Sequence, residues 1–82
     1  MEFKIGHSVE VIIPDLNESG KDGIIKEITT FVGIPGKLGY KLYYLDRNFL
    51  PQFSYIYEEE MVLLCSNEER GKAFLQSAGL DV

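Results

Sequence analysis

Short runs with an apolar residue at every second position, separated by turn-forming residues, are the feature that most restricts how this chain folds. The first run is 8–13, in which valine or isoleucine occupies positions 9, 11 and 13. Side chains at every second position share one face of an extended strand. Pro14 closes the run, because proline lacks the amide that a sheet ladder requires. The run therefore predicts a strand, and the polar segment 16–22 a loop.

Four later segments predict further strands, at 23–32, 40–45, 53–57 and 62–65. The longest has no cleanly polar face, which is typical of a strand that bends so that its buried side changes. Turn-forming residues occupy 33–39 and 46–48, and an acidic turn, Glu58–Glu60, precedes the last strand.

After residue 65 the spacing of apolar residues changes from that of a strand to that of a helix, and it predicts a helix over 67–77. Ser66 is a candidate N-cap, with Glu69 three residues later completing a capping box. Gly71 lowers helix stability by about 1 kcal/mol relative to alanine, so the helix needs docking to persist. Gly79 is a suitable C-terminal stop, with Leu80 as its hydrophobic partner.

Five strands and one helix indicate a mainly β fold, namely a small five-stranded barrel, closed or nearly closed, with a C-terminal α-helix. The length of 82 residues allows one domain, which we divide into a barrel at 4–65 and a helical segment at 66–79. Neither a linker nor a repeat separates the two parts.

Composition excludes several classes of protein. With 45% hydrophobic and 26% charged residues, the chain is not compositionally disordered. It has no apolar run near the roughly 20 residues that a membrane helix needs, and no signal-peptide pattern, so we expect a cytoplasmic protein. One cysteine, Cys65, excludes an internal disulfide and a multi-cysteine metal site.

The formal net charge of −5 opposes nonspecific nucleic-acid binding, which depends on neutralising phosphates. The charge is uneven, however. Residues 20–47 carry five basic and three acidic side chains, whereas the rest of the chain carries three basic and ten acidic ones. The mildly basic middle is either a solvated surface or a binding face.

Two stretches, 6–11 and 20–28, resemble the opening of an SH3-like barrel of the KOW type. Gly20 and Gly23 match its Gly-x-x-Gly turn, and 40–45 and 53–64 match its later strands. The chain is thus similar, over 4–64, to small SH3-like proteins of bacterial and phage genomes, including the YorP type. The resemblance implies no catalytic residues and no cofactor, and it implies binding of RNA or of other proteins through loops.

Catalysis is the least supported class of function. His7, the single histidine, has no orienting partner or nucleophile near it in sequence, and we expect an exposed turn residue. We expect Cys65 to be a small buried hydrophobe rather than a reactive thiol. The glutamates of Glu58–Glu60 point in different directions on an extended chain, so a solvated turn is favoured over a cation site.

Five tyrosines fall on two successive predicted strands. Tyrosine combines apolar area with one hydroxyl, which suits partner surfaces, although these rings can also simply cover a thin barrel. The first hypothesis is therefore a non-catalytic protein-interaction module that binds another protein. Its candidate binding residues are Lys41, Tyr43, Tyr44, Arg47, Tyr55 and Tyr57.

Two alternatives remain open. One is RNA binding by the basic middle, whose candidate residues are Lys21, Lys26, Lys37 and Lys41. The other is an acidic phage-encoded inhibitor that occupies a basic groove on a host nucleic-acid enzyme. Its candidate residues are Glu58, Glu59, Glu60, Glu68 and Glu69.

Overall fold

A computed structural model describes residues 3–12, 22–30, 35–46 and 48–80. Within these ranges the chain forms five strands and one α-helix, which confirms the predicted mainly β fold with a C-terminal helix. The strands are β1 (Ser8–Val11), β2 (Asp22–Thr29), β3 (Gly39–Leu45), β4 (Pro51–Tyr57) and β5 (Met61–Cys65), and the helix is α1 (Glu68–Ser77). A 3-10 turn, Glu58–Glu60, connects β4 to β5.

All five strands belong to one antiparallel sheet in the order β4-β3-β2-β1-β5. The sheet is not closed: in the described ranges β4 and β5 are its two edges. The predicted strand ends at Ile13 and Val32, and the turn glycine Gly20, lie outside the described residues.

One face of the sheet holds the hydrophobic core. Its buried members are Phe3, Val9, Val11, Ile25, Tyr40, Leu42, Ile56 and Met61. A register shift in β2 between Ile25 and Glu27 changes which positions of that strand face the core. Ile25 pairs with the buried Leu42, whereas Ile28 pairs with the buried Tyr40, so the side of β2 that is paired with core residues moves from odd to even positions, although Ile28 itself is 38% exposed. The shift explains why no face of β2 is cleanly polar in sequence.

The N-cap of helix α1 lies one residue later than predicted. Asn67, not Ser66, is the N-cap, and its Oδ1 accepts a hydrogen bond from the Arg70 amide at 3.1 Å. Asparagine is as good a cap as serine, so the prediction of Ser66 was wrong by one position. The predicted stop is confirmed: Gly79 has φ 82°, and the Leu80 amide donates to the Leu75 carbonyl at 3.0 Å, as in a Schellman motif.

His7 is buried, with 6% of its surface exposed, so the expectation of an exposed turn residue was wrong. Its Nδ1 accepts a hydrogen bond from the Lys4 amide at 3.1 Å, and its carbonyl accepts one from the Ile25 amide at 3.0 Å. The turn before β1 folds back on itself, and the imidazole satisfies a backbone amide that the sheet does not. His7 is therefore a structural residue.

Gly71 marks the closest approach between the helix and the turn before β1. A Cβ built on Gly71 would overlap the carbonyl oxygen of Gly6, and one built on Gly6, which has φ 96°, would overlap the carbonyl of Glu68. Gly71 and Leu75 are the buried residues of α1. The glycine that weakens the helix in isolation is thus what allows the helix to dock.

We expect Gly71→Ala to lower the free energy of unfolding by about 1–3 kcal/mol, the usual cost of overpacking. The opposite swap on the same helix, Ala73→Gly at an exposed position, should cost about 1 kcal/mol through helix propensity alone. Urea unfolding of both variants provides the measurement. A more stable Gly71→Ala protein would show that the backbone contact with Gly6 is not maintained.

Candidate functional site

Strand β4 carries three aromatic side chains on the face opposite the core: Phe53, Tyr55 and Tyr57. We call them the β4 aromatic strip. Ile56, which points the other way, is buried in the core, as the alternation of a strand requires. Phe53 and Tyr55 are 43% and 50% exposed. The strip therefore places apolar area in water along an edge of the sheet.

Two lysines lie over the rings of the strip. The Lys37 ammonium is 4.2 Å from the centre of the Tyr57 ring. The Lys41 ammonium is 5.0 Å from the Phe53 ring and 5.8 Å from the Tyr55 ring. A cation at these distances is attracted electrostatically to the face of an aromatic ring.

Each of these lysines also has an acidic partner. Lys41 lies 3.8 Å from a Glu27 carboxylate oxygen, and Lys37 forms an ion pair with Glu59. The hydrogen bond from Lys37 lowers the pKa of the Glu59 carboxyl below its ordinary value, and the same bond raises the pKa of Lys37. The positive charge beside the strip is therefore largely neutralised locally.

Tyr43 lies on the same face of the sheet as the strip, but neighbouring rings cover it. It pairs with Phe53 across β3 and β4, and their ring centres are 5.6 Å apart. On its other side is Phe74 of α1, at 6.2 Å. Since only 6% of Tyr43 is exposed, it supports the surface rings and offers little contact area of its own.

The structure brings Lys41, Tyr43, Tyr55 and Tyr57 to one face, as the sequence predicts. It does not bring Tyr44 there: this tyrosine is buried on the opposite face, where its hydroxyl lies 3.1 Å from the Ser54 Oγ. Adjacent residues of a strand point to opposite faces, so Tyr43 and Tyr44 cannot share one surface. Arg47 lies outside the described residues.

The predicted binding residues differ from this surface in two features. The first is that Phe53 was left out of the set, although its two-residue spacing from Tyr55 places it on the same strand face, and that Lys37 was assigned only to the RNA alternative. The second feature is Phe49, at the tip of the β3–β4 hairpin, which is 79% exposed and has φ 60°. A bulky side chain in the left-handed region is strained, and such strain is concentrated at functional sites.

The hairpin tip is held by the Asp46 carboxylate. Its Oδ1 accepts hydrogen bonds from the Asn48 and Leu50 amides at 2.8 and 3.0 Å. Its Oδ2 accepts one from the Gln52 side chain at 3.0 Å. Because these bonds fix the backbone on both sides of Phe49, the aromatic ring is held out into solvent.

Four acidic residues of the inhibitor hypothesis have a local role, either a paired side chain or a place in the first turn of α1. Glu59 is paired with Lys37, and Glu60 Oε1 accepts a hydrogen bond from the Tyr57 amide at 2.9 Å. Glu68 and Glu69 lie in the first turn of α1, where negative charge is favourable. Among the described residues, no group of three or more potential ligands has the arrangement of a metal site.

Comparison of the chain with family models, with curated proteins and with solved structures found no match. In the part of the chain that the structure describes, no helix has the length and apolar character needed to cross a membrane. The chemistry of the site is therefore inferred from its own residues.

Replacing Lys37 tests the ion pair beside the strip. In Lys37→Met, the pKa of Glu59 should rise toward its ordinary value of 4.5, because the hydrogen bond that lowers it is lost. The stabilisation from the pair is present above that ordinary value and disappears as the pH falls through the lowered one. NMR titration of the Glu59 carboxyl carbon measures the shift. Lys72→Met removes a positive charge elsewhere and should leave Glu59 unchanged; equal titration in all three proteins would contradict the pairing.

Replacing Phe49 tests the backbone strain. We expect Phe49→Gly to raise the free energy of unfolding by up to about 1 kcal/mol, since glycine adopts a positive φ without steric cost. Leu50→Gly, at the exposed neighbour without a positive φ, should instead lose roughly 0.4–1 kcal/mol. Thermal and urea unfolding compare the two variants. If both lose stability equally, Phe49 is not strained.

Proposed function

We propose that this protein is a non-catalytic interaction module that binds a segment of another protein with the β4 aromatic strip. The observation that carries the proposal is the exposure of Phe53 and Tyr55 on an edge strand, where the Lys41 ammonium lies over both rings. Aromatic residues are enriched in the centres of protein interfaces because they contribute large contact area at low conformational cost. Phe49 adds a second exposed aromatic ring at the tip of the hairpin that ends in β4.

The strand order supports an SH3-like assignment as part of this proposal. The first strand pairs with both the second and the last, β2 to β4 form a meander, and a 3-10 turn precedes β5. This arrangement agrees with the resemblance to KOW and YorP-type proteins drawn from the sequence. We extend the proposal to a bacterial or phage protein that acts in the cytoplasm.

The pairing of the candidate lysines with nearby glutamates favours a protein partner over RNA. Lys26 and Lys41 each lie 3.8 Å from Glu27, and Lys37 is paired with Glu59. Phosphate binding depends on cations that are free to replace counterions, whereas these three lysines share two carboxylates, so only one positive charge of the group is uncompensated. Lys21, the fourth candidate, lies outside the described residues. RNA binding and the acidic inhibitor thus remain alternatives with less support.

The double variant Phe53→Ala/Tyr55→Ala tests the proposed face. Because both side chains are about half exposed, their removal should change the melting temperature little, while capture of the partner should fall at least tenfold, about 1.4 kcal/mol or more. The measurement is quantitative affinity capture by the immobilised full chain from nuclease-treated host lysate, followed by titration with the purified partner.

The matched control is Val62→Ala, which removes apolar area from an exposed position on the other edge strand, β5. It should capture the partner as the unmodified chain does. Equal capture by the double variant would refute the proposed face. Capture is repeated from lysate without nuclease treatment: a partner captured only there would instead support the RNA alternative, and a titration with RNA should then show a steep salt dependence.

A further inference from the structure

A groove lies between α1 and the sheet, on the same side of the sheet as the β4 aromatic strip. Its volume is about 610 Å³, within the range of small-molecule sites. Its apolar walls include Ile24 of β2, Leu64 of β5 and Phe74 of α1. Leu64 and Phe74 are both about half exposed, so the groove leaves apolar surface open to water.

The groove exists because of how the helix docks. Gly71 brings one part of α1 against the backbone of Gly6, and Leu75 is fully buried. Phe74, by contrast, lies against Tyr43 at a ring distance of 6.2 Å. The helix is therefore anchored at two positions, and the space beside Phe74 is not filled by the described residues.

Arg70 is the one charged residue among the described residues that line this groove. Within the described ranges its guanidinium makes no ion pair, whereas Lys26, Lys37 and Lys41 each have a glutamate partner. An unpaired cation beside an apolar wall is complementary to a molecule that combines an anionic head with an apolar body. The planar guanidinium matches a carboxylate in a bidentate arrangement.

A singly charged head fits better than a dianion. Glu68 and Glu69 lie in the same helical turn as Arg70, and the chain has a net charge of −5. A phosphate monoester would be attracted by one guanidinium, but its two negative charges would be repelled by the neighbouring carboxylates. A carboxylate carries half that charge and keeps the same bidentate contact.

We propose that the groove binds a small amphipathic carboxylate, with the carboxylate on Arg70 and the apolar part against Leu64 and Phe74. The site is independent of the proposed protein-binding strip, so either proposal stands if the other fails. The chain offers an internal reporter, because Cys65 is its single cysteine, is half-buried and lines the groove. An occupied groove shields this thiol.

The test uses octanoate as the probe, with octanol as its uncharged counterpart and acetate as the head group alone. The rate at which Cys65 reacts with an aqueous thiol reagent is followed against probe concentration, and the affinity is checked by NMR titration. Octanoate should slow the reaction saturably. Octanol should bind at least about tenfold more weakly, because it lacks the charge-assisted contact, and acetate should have no effect.

Two variants on one helix separate the contact with Arg70 from the general effect of positive charge. Arg70→Gln should weaken octanoate binding about tenfold and leave octanol unchanged, whereas Lys72→Gln, which removes the same charge from a residue that does not line the groove, should alter neither. Ala73→Trp, which fills the groove, should abolish the binding of both probes. Equal binding of octanoate and octanol, equal effects of the two charge variants, or unchanged octanoate binding in Ala73→Trp would overturn the proposal.

Discussion

The close contact between the backbones of Gly6 and Gly71 determines which side chains are covered on the outer face of the sheet, which is the face opposite the hydrophobic core. With no side chain between them, α1 lies against the turn before β1, and Leu75 is completely buried. Phe74 is thereby brought to Tyr43, and Tyr43 in turn supports Phe53. A single helix–turn contact thus holds a row of aromatic rings that extends from the helix to the edge strand.

The same contact explains why the outer face is only partly covered. A ten-residue helix cannot cover five strands, and this one is anchored through one glycine and one leucine. What it leaves uncovered divides into the groove beside Phe74 and the strip on β4. A small domain buries a limited fraction of its surface, so exposed apolar area is expected, but contiguous rings on an edge strand are less usual.

The sequence predicted the order of the elements because their signals are local. Two-residue alternation identified the strands, and Gly79 identified the helix end. What it could not predict depends on contacts between distant segments. Gly71 appeared only as a weak point of the helix, since its contact with Gly6 joins residues far apart in the chain. His7 appeared exposed because the amide that its imidazole satisfies belongs to a turn with no distinctive pattern.

The candidate binding residues also divide into features that local sequence predicts and features that depend on distant contacts. Strand alternation alone separates Tyr43 from Tyr44, so the two were never compatible with one surface. That Tyr43 is buried was not predictable, because the covering ring comes from α1, thirty-one residues away in sequence. Phe49 was missed for a different reason. Its positive φ is imposed by the hydrogen bonds of Asp46, and nothing about phenylalanine itself favours that conformation.

The pairing of Lys37 and Lys41 each with a ring and a glutamate limits the electrostatic attraction that the strip can exert. A cation held over an aromatic face by a neighbouring carboxylate contributes little net charge to an approaching molecule, although its aliphatic stem still adds contact area. Binding at the strip would then depend on apolar area rather than on long-range attraction, and it would respond weakly to salt. Arg70 differs, because its guanidinium makes no ion pair within the described residues, although Glu68 and Glu69 lie in the same helical turn. Within the described residues, the outer face therefore combines a strip whose lysines are paired with glutamates and a groove that carries the Arg70 charge, so the two proposed ligands would be recognised mainly through apolar area at the strip and through charge at the groove.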